Sequence, residues 1–263
     1  MRLILRHLLA PVLIALALAA CSQSSDKPAA PPASASQPAA AVAPPASADQ
    51  QAPNAGAAPA SSGESGNGQY ITLKTAQPTN ANGKIEVLEF FGYFCNHCYA
   101  LDPKLTAWAH KQGNRIVFKR IPVRPDEAKL YYALEAMGKL EALHDQIFNA
   151  VQVEHKRLGS ESAAADFVEQ HGVDRKNFIE HYNSFSVQSS GMNAASLAKA
   201  YGIDGVPMIA IDGRFITSAS HAATRPGTVQ NETGMHLSML AVMDELVTKA
   251  RQEHGLGAKS SGK

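Results

Sequence analysis

The sequence predicts an α/β fold in which a mixed β-sheet is interrupted by a block of helices. Runs rich in β-branched and aromatic residues, each typical of a strand, occur at 85–91, 115–123, 206–211 and 214–217. Between the second and third of these runs, over about residues 126–190, apolar residues recur at helical spacing. Two cysteines, Cys95 and Cys98, follow the first run at the start of another helical pattern. This order predicts one α/β domain with a helical insertion.

The first twenty residues are typical of an export signal. Arg2 and Arg6 form a basic region, and residues 8–18 are an apolar run that is short for a bilayer span. The run ends in Leu-Ala-Ala followed by Cys21, which resembles the lipobox of bacterial lipoproteins, in which this cysteine is lipidated and anchors the chain to a membrane. Ser22 rather than Asp follows it, which by analogy with enterobacterial lipoproteins favours the outer membrane. An ordinary secretory signal cut before Cys21 fits the same residues, and both alternatives predict export to the periplasm.

Residues 21–68 predict a tether rather than a domain. Beyond Cys21 this segment consists largely of Ala, Pro, Ser, Gln and Gly, so it buries too little apolar surface to offset the entropy of ordering. The folded unit is expected at 69–263, a length that supports a sizeable core. The formal net charge of +1 gives no sign of a nucleic-acid-binding surface. No segment suggests an added dimerisation domain, so a monomer is expected.

The strand at 85–91 leads directly into the two cysteines. Gly92 permits a bend, and the residues after the cysteines have apolar positions at helical spacing. Cys95 is therefore expected in the turn between strand and helix, and Cys98 in the first helical turn. The unpaired amides and the positive dipole end of a helix stabilise an anion, so this placement favours a Cys95 thiolate. His97, between the two cysteines, can add a positive charge or a hydrogen bond.

Three kinds of site are open to this Cys-x-x-Cys pair. A zinc site normally needs four ligands, and the chain has no second cysteine pair, although His97 and His110 are nearby. A purely structural disulfide is also open, but closing so short a loop removes little chain entropy. A thiol–disulfide active site fits best. The chain has three cysteines, and lipidation of one leaves a single pair that an oxidising compartment can hold as a disulfide.

The remaining elements follow from periodicity and turn residues. Residues 70–73 predict a short first strand, and Pro103 is expected to kink or break the helix after the cysteines. Asp126 is a candidate cap for a helix that carries apolar residues as far as residue 151. Asp212 and Gly213 predict a hairpin between the last two strands. Further helices are expected at 163–170, 175–182, 192–201 and 236–251.

Two motifs and their order carry a family resemblance. The run Glu-Phe-Phe-Gly-Tyr-Phe-Cys-Asn-His-Cys-Tyr at 89–99 is followed by the helical insertion and then by Gly-Val-Pro at 205–207 before a strand. This pattern resembles the DsbA family of periplasmic disulfide oxidoreductases, which have a thioredoxin-like fold with an inserted helical domain. The resemblance covers the predicted folded unit from about residue 69 to the final helix.

The resemblance implies a role for each matching residue near the cysteines. Cys95 would be the nucleophile, Cys98 the buried resolving cysteine, and His97 would stabilise the Cys95 thiolate. Pro207 would be a cis proline facing the disulfide. Val206, which precedes it, is more typical of DsbA-like members than the Thr found in isomerase relatives. Read from the residues alone, Pro207 also fits a proline that simply begins a strand.

Glu89 and Lys119 match a buried acid and a lysine below the family's active site, which influence proton transfer at the resolving cysteine. The residues alone leave alternatives, because Glu89 also fits an outward-facing position at a sheet edge and Lys119 a solvated side chain. Asn96 departs from the family archetype, which has proline there. The dipeptide between the cysteines tunes the stability of the thiolate, so the strength of the expected oxidant depends on this difference.

The expected activity is donation of the Cys95–Cys98 disulfide to reduced, newly exported proteins. Reoxidation by a DsbB-type membrane partner is implied by the resemblance, and no metal or other cofactor is expected. A lipid-anchored reductase or isomerase would use the same residues with a less oxidising pair. A tethered chaperone or binding module, with the disulfide as a structural staple, is the alternative that involves no catalysis.

Overall fold

The computed structural model describes residues 67–256, which form a five-stranded mixed sheet with helices packed around it. In chain order the elements are β1 (Ile71–Thr72), β2 (Ile85–Phe91), α1 (Asn96–Gln112), β3 (Ile116–Pro122), α2 (Pro125–Ala136), α3 (Leu140–Gln152), α4 (Glu161–Gln170), α5 (Arg175–Tyr182), α6 (Phe185–Ala200), β4 (Met208–Ile211), β5 (Phe215–Thr217), α7 (Ala219–Ala222) and α8 (Glu232–Glu253). The predictions for residues 1–20 and for the tether up to residue 66 lie outside the described residues.

The sheet has the strand order β1-β5-β4-β2-β3, which places β2 near its centre. β2 pairs in parallel with β3 and antiparallel with β4. Every residue of β2 is buried, because helices cover both faces of the strand. β4 and β5 form the predicted hairpin around Asp212 and Gly213. The α/β fold with a helical block between β3 and β4 is therefore confirmed.

The core lies on both sides of the sheet. On one side Val87 of β2 packs with Leu105 of α1 and with α8. On the opposite side Phe90 of β2 packs with Tyr201, the residue after α6. A further cluster, on the same face of β2 as Val87, joins Phe91 at the end of the strand to the helices of the insertion and includes both cysteines. The sulfur atoms thus sit where the sheet, α1 and the inserted helices meet.

Three local predictions need correction. Pro103 does not break α1, which runs unbroken from Asn96 to Gln112 while Leu101 and Leu105 bury its inner face. Asp126 is not a cap, because α2 begins with Pro125 at its first position, where a missing amide costs nothing. The helix expected to continue to residue 151 is two helices, separated at Gly138, whose φ of 64° favours glycine.

Over residues 67–256, no helix is both long enough and apolar enough to cross a bilayer. The longest, α8, alternates buried residues such as Met239, Val242 and Leu246 with exposed polar ones, so it covers one edge of the core.

Candidate active site

Cys95 and Cys98 form a disulfide at the N-terminus of α1, with their Cα atoms 5.2 Å apart. Cys95 is the N-cap residue, and its Sγ accepts the backbone N–H of Cys98 at 3.0 Å. Cys98 is completely buried, whereas Cys95 keeps a 6% exposed fraction. The predicted placement of both cysteines is confirmed, and Cys95 is the sulfur that a thiolate can reach from solvent.

A groove of about 820 Å³ runs past Cys95. Phe94 and Cys95 line it, together with Ala198 and Lys199 of α6 and Val206 before β4. Phe94 is 44% exposed, while Tyr93 beside it is only 1% exposed. Phe94 therefore lines the groove, whereas Tyr93 belongs to the core.

Val206 and Pro207 are joined by a cis peptide bond immediately before β4. The carbonyl oxygen of Val206 lies 3.5 Å from Cys95 Sγ. The proline thus both precedes a strand and stands beside the disulfide, so the two interpretations of Pro207 from the sequence describe one arrangement.

His97 lies on the exposed side of α1. Its Nδ1 is 2.7 Å from Oε1 of Glu232, in the first turn of α8. The pKa of the Glu232 carboxyl lies below its usual range, mainly because of the hydrogen bond from His97. Sequence reasoning missed Glu232, because it is 135 residues from His97 and no local pattern links the two.

Glu89 is fully buried in the middle of β2, which excludes the edge position that the sequence left open. Burial raises its pKa to about 8, against the opposing charge of Arg120. Its Oε2 accepts a hydrogen bond from Nε of Arg120 at 3.2 Å, and its Oε1 has no hydrogen-bond partner. Glu89 is thus a carboxyl group that can hold a proton at neutral pH.

Lys119 does not reach Glu89. In the parallel pairing of β2 and β3, Lys119 stands opposite Leu88, whereas Arg120 stands opposite Glu89. Neighbouring side chains of a strand point to opposite faces, so the side chains of Lys119 and Arg120 lie on different sides of the sheet. Lys119 Nζ binds Oε2 of Glu86 at 2.7 Å instead. The cation beside the buried acid is Arg120, which only the register of the strands reveals.

Arg120 connects Glu89 to a further buried acid, Asp102, one helical turn after Cys98 on α1. An Nη2 atom of Arg120 donates to Oδ1 of Asp102 at 2.8 Å, and Nε2 of His144 lies 3.2 Å from the same oxygen. Burial acts to raise the pKa of Asp102, but the hydrogen bond from His144 and the charge of Arg120 outweigh it, so the pKa is lowered.

His144 extends this network into the helical insertion. It lies on α3, and its Nδ1 is 2.8 Å from the hydroxyl of Tyr93, two residues before Cys95. The histidine is buried, and both of its ring nitrogens have polar partners. Within residues 67–256, no group of three or more His, Cys, Asp or Glu side chains is arranged to hold a metal ion.

Comparison with known proteins places this architecture in a family. A family model described as a DSBA-like thioredoxin domain matches residues 126–232. The thiol:disulfide interchange protein DsbA of Burkholderia cepacia is 44% identical over 167 residues, covering 61% of this chain and 79% of that protein. The chain belongs to the DsbA family.

Other DsbA proteins agree over a similar length. The DsbA of Bordetella pertussis is 36% identical over 189 residues, covering 70% of this chain and 85% of that protein. The crystal structure of Pseudomonas aeruginosa DsbA superposes with a TM-score of 0.64 at 31% identity, covering 71% of this chain and 94% of that one. The DsbA fold, a thioredoxin-like sheet with an inserted helical block, therefore accounts for the described part of the chain.

Proposed function

We propose that this protein is a thiol:disulfide oxidoreductase that donates the Cys95–Cys98 disulfide to reduced, exported proteins. The observation that carries this proposal is the position of Cys95 Sγ, which caps α1 and accepts the Cys98 amide beside an open groove. A helix N-terminus favours an anion, so the thiolate formed on reduction is stabilised there. Stabilising the reduced form makes the disulfide a stronger oxidant.

The transfer takes place in two exchanges. A substrate thiolate attacks Sγ of Cys95, the bond between the two cysteines breaks, and Cys98 leaves as a thiolate that takes up a proton. A second substrate thiolate then attacks the substrate sulfur of the mixed disulfide and releases Cys95 as a thiolate. The substrate loses two electrons and the enzyme pair gains them.

Two side chains and one stretch of backbone are proposed to assist. His97, partnered by Glu232, is proposed to add positive charge beside the Cys95 thiolate. Glu89, buried and with its pKa raised to about 8, is proposed to exchange a proton with Cys98. The backbone around Val206 and Pro207, which faces Cys95, is proposed to pair with the substrate peptide. A proton-transfer role for Lys119 rests on the family resemblance alone, since its partner is Glu86.

Repeated cycles of oxidation require a second protein that restores the Cys95–Cys98 disulfide. A DsbB-type membrane protein is proposed to reoxidise the reduced pair, and neither metal nor other cofactor has a part in the two exchanges. We also propose that the folded domain acts as a monomer in the periplasm and does not bind nucleic acid. A reductase or isomerase would share the two cysteines, so the redox equilibrium decides between them.

The redox equilibrium with glutathione tests the oxidase proposal directly, on the mature chain carrying Cys21→Ser so that it is water-soluble. The absorbance of the Cys95 thiolate is titrated on the same sample. An oxidant is expected to have a reduction potential above about −180 mV and a Cys95 pKa well below the ordinary thiol value of about 8.5. His97→Ala is expected to raise that pKa. A potential near about −270 mV, typical of thioredoxin, would identify a reductase instead.

Attachment through Cys21 is a separate proposal. Residues 1–20 would be removed as a lipoprotein signal, and residues 21–68 would link the lipid, in the outer membrane, to the folded domain. Each buried lipid methylene contributes about 0.8 kcal/mol, so more than one acyl chain gives stable anchoring. Cys21→Ser is expected to abolish incorporation of labelled fatty acid and to move the protein from the membrane to the soluble periplasmic fraction. A variant that stays membrane-bound would contradict the proposal.

A further inference from the structure

The turn that precedes Cys95 has two amides that the turn itself does not use. The backbone N–H of Cys95 donates to the carbonyl of Gly92 at 3.0 Å, which closes a four-residue turn. The central residues of that turn, Tyr93 and Phe94, have amides left over, and such groups need an acceptor when they are removed from water. The acceptor here is a single side chain, Glu127.

Glu127 lies in the first turn of α2 and uses one oxygen for each amide. Its Oε2 accepts the N–H of Tyr93 at 2.8 Å, and its Oε1 accepts the N–H of Phe94 at 3.1 Å. A Cβ atom at Gly92 would overlap the ring of Phe94 and lie 3.1 Å from the same Oε2, so the glycine leaves room for both the ring and the carboxylate. Hydrogen bonds to a charged acceptor are about twice as strong as neutral ones.

The helical insertion also holds the other polar group of Tyr93. Nε2 of Gln152, at the end of α3, donates to the carbonyl oxygen of Tyr93 at 2.6 Å. Two inserted helices therefore fix the backbone of the turn whose last residue is Cys95. Because Cys95 is the N-cap of α1, the direction in which this turn enters the helix sets where its sulfur lies relative to the Cys98 amide.

We propose that Glu127 is a positioning residue for Cys95, which in its ionised form fixes the turn at 92–95 and thereby keeps the Cys95 sulfur on the N-terminal amides of α1. Protonation of Glu127 takes away a charged acceptor and one lone-pair site, so the turn is held less firmly. The proposal deepens the oxidase function proposed above, since it assigns control of the Cys95 thiolate to the insertion.

The surroundings of Glu127 allow it to change charge near neutral pH. Burial raises its pKa to about 7, although the hydrogen bond from the Tyr93 amide lowers it, Asp126 raises it, and Arg124 and the Phe94 amide lower it. Glu127 lines a cavity of about 490 Å³. Two further cations, Lys156 and Arg157 of the segment after α3, line the same cavity. As the pH falls through 7, the protonated fraction rises and the hold on the turn weakens.

Glu127→Gln tests the proposal through the sign of its effect on Cys95. A carboxamide has one acceptor oxygen, so one of the two amides loses its partner. A positioning role predicts that the Cys95 pKa rises by about one unit, which shifts the equilibrium with glutathione about tenfold toward the disulfide. For a two-electron couple that is about 30 mV. If Glu127 acted only through its charge, removing that charge would lower the Cys95 pKa instead.

Asp126→Asn is the matched control. It removes the same charge one residue away, beside the same cavity, but leaves both amides on Glu127. The control is expected to leave the Cys95 pKa unchanged or slightly lowered. A Glu127→Gln variant that lowers the Cys95 pKa, or that shifts it no more than Asp126→Asn does, would overturn the proposal.

A second measurement uses the oxidised protein, in which the cysteines cannot titrate. The NMR amide signals of Tyr93 and Phe94 are expected to shift with a midpoint near pH 7 in the unmodified chain. The step is expected to persist in Asp126→Asn with a lower midpoint, because the Asp126 charge raises the pKa of Glu127, and to disappear in Glu127→Gln. Signals that show no such step would overturn the titration of Glu127. This readout does not depend on the reduction potential, so a reducing potential with an intact step would reject the oxidase function and retain the role of Glu127.

Discussion

Cys95→Ser is expected to abolish disulfide transfer, with the rate falling at least about 1,000-fold, the scale seen when an enzyme loses its nucleophile. Cys98→Ser is expected to behave differently. Its remaining thiol at position 95 caps α1 and faces the groove, so it attacks substrate disulfides and forms mixed disulfides that no second cysteine resolves. The asymmetry follows from burial, since Cys98 has no exposed surface and Cys95 does.

The measurement is oxidation of a reduced peptide with two cysteines, together with mass spectrometry of each variant after incubation with an oxidised peptide. Cys98→Ser should be found largely as the mixed disulfide, and Cys95→Ser as the free thiol. If the Cys95→Ser variant trapped the peptide instead, the assignment of nucleophile and resolving cysteine would be reversed.

Arg120→Met is expected to destabilise the protein by about 3–5 kcal/mol, the cost of leaving buried charge without its partner. The guanidinium contacts Glu89 and Asp102, and both carboxyl groups are buried. At neutral pH the uncompensated charge belongs mainly to Asp102, because the pKa of Glu89 is about 8 and that of Asp102 is lowered. The free energy of unfolding in urea measures the loss.

Acidification gives the Arg120→Met prediction a second test. Asp102 has a lowered pKa in the folded protein, so its contribution to stability is present above about pH 4 and is lost as the pH falls through the lowered value. The difference in unfolding free energy between Arg120→Met and the unmodified protein should therefore shrink as the pH is lowered, because a proton then neutralises the Asp102 carboxylate that Arg120 otherwise pairs with.

Lys119→Met is the control for Arg120→Met, one residue earlier on β3. The Lys119 side chain is 44% exposed, whereas its partner Glu86 is buried, so the expected loss lies between that of an exposed and that of a buried ion pair, about 1–3 kcal/mol. Equal losses for the two variants would show that a shared effect on β3, rather than the buried charges, determines the stability.

The features that the sequence predicts well are local. The strand at 85–91, the hairpin at Asp212 and the cysteines at the start of α1 each follow from residue types within a few positions. The sequence predicts helix ends less well, because the spacing of apolar residues does not show where the chain turns. Helical spacing persists across Gly138 although the chain turns there, and α6 begins at Phe185, well before the predicted residue 192.

The sequence predicts the residues of the site only where they lie close together along the chain. The sequence places Glu89 in a strand but leaves its burial open, and its partner depends on how β2 and β3 align, a register that places Arg120 rather than Lys119 opposite it. Asp102, His144 and Glu127 reach the site from three different helices. No spacing in the sequence connects them, because their proximity is created by packing of the insertion on the end of β2.

The cysteines and the inserted helices share one hydrophobic cluster, so the insertion cannot be removed without exposing the disulfide. Both sulfurs pack in the cluster that fills the space between β2 and the insertion, so the inserted helices form part of the wall behind the disulfide. Trimming the insertion to a short loop would open Cys98 to water and give the two cysteines similar accessibility. The difference in exposure between Cys95 and Cys98 is thus a property of the assembled domain, and a minimal sheet with the same Cys-x-x-Cys motif would not inherit it.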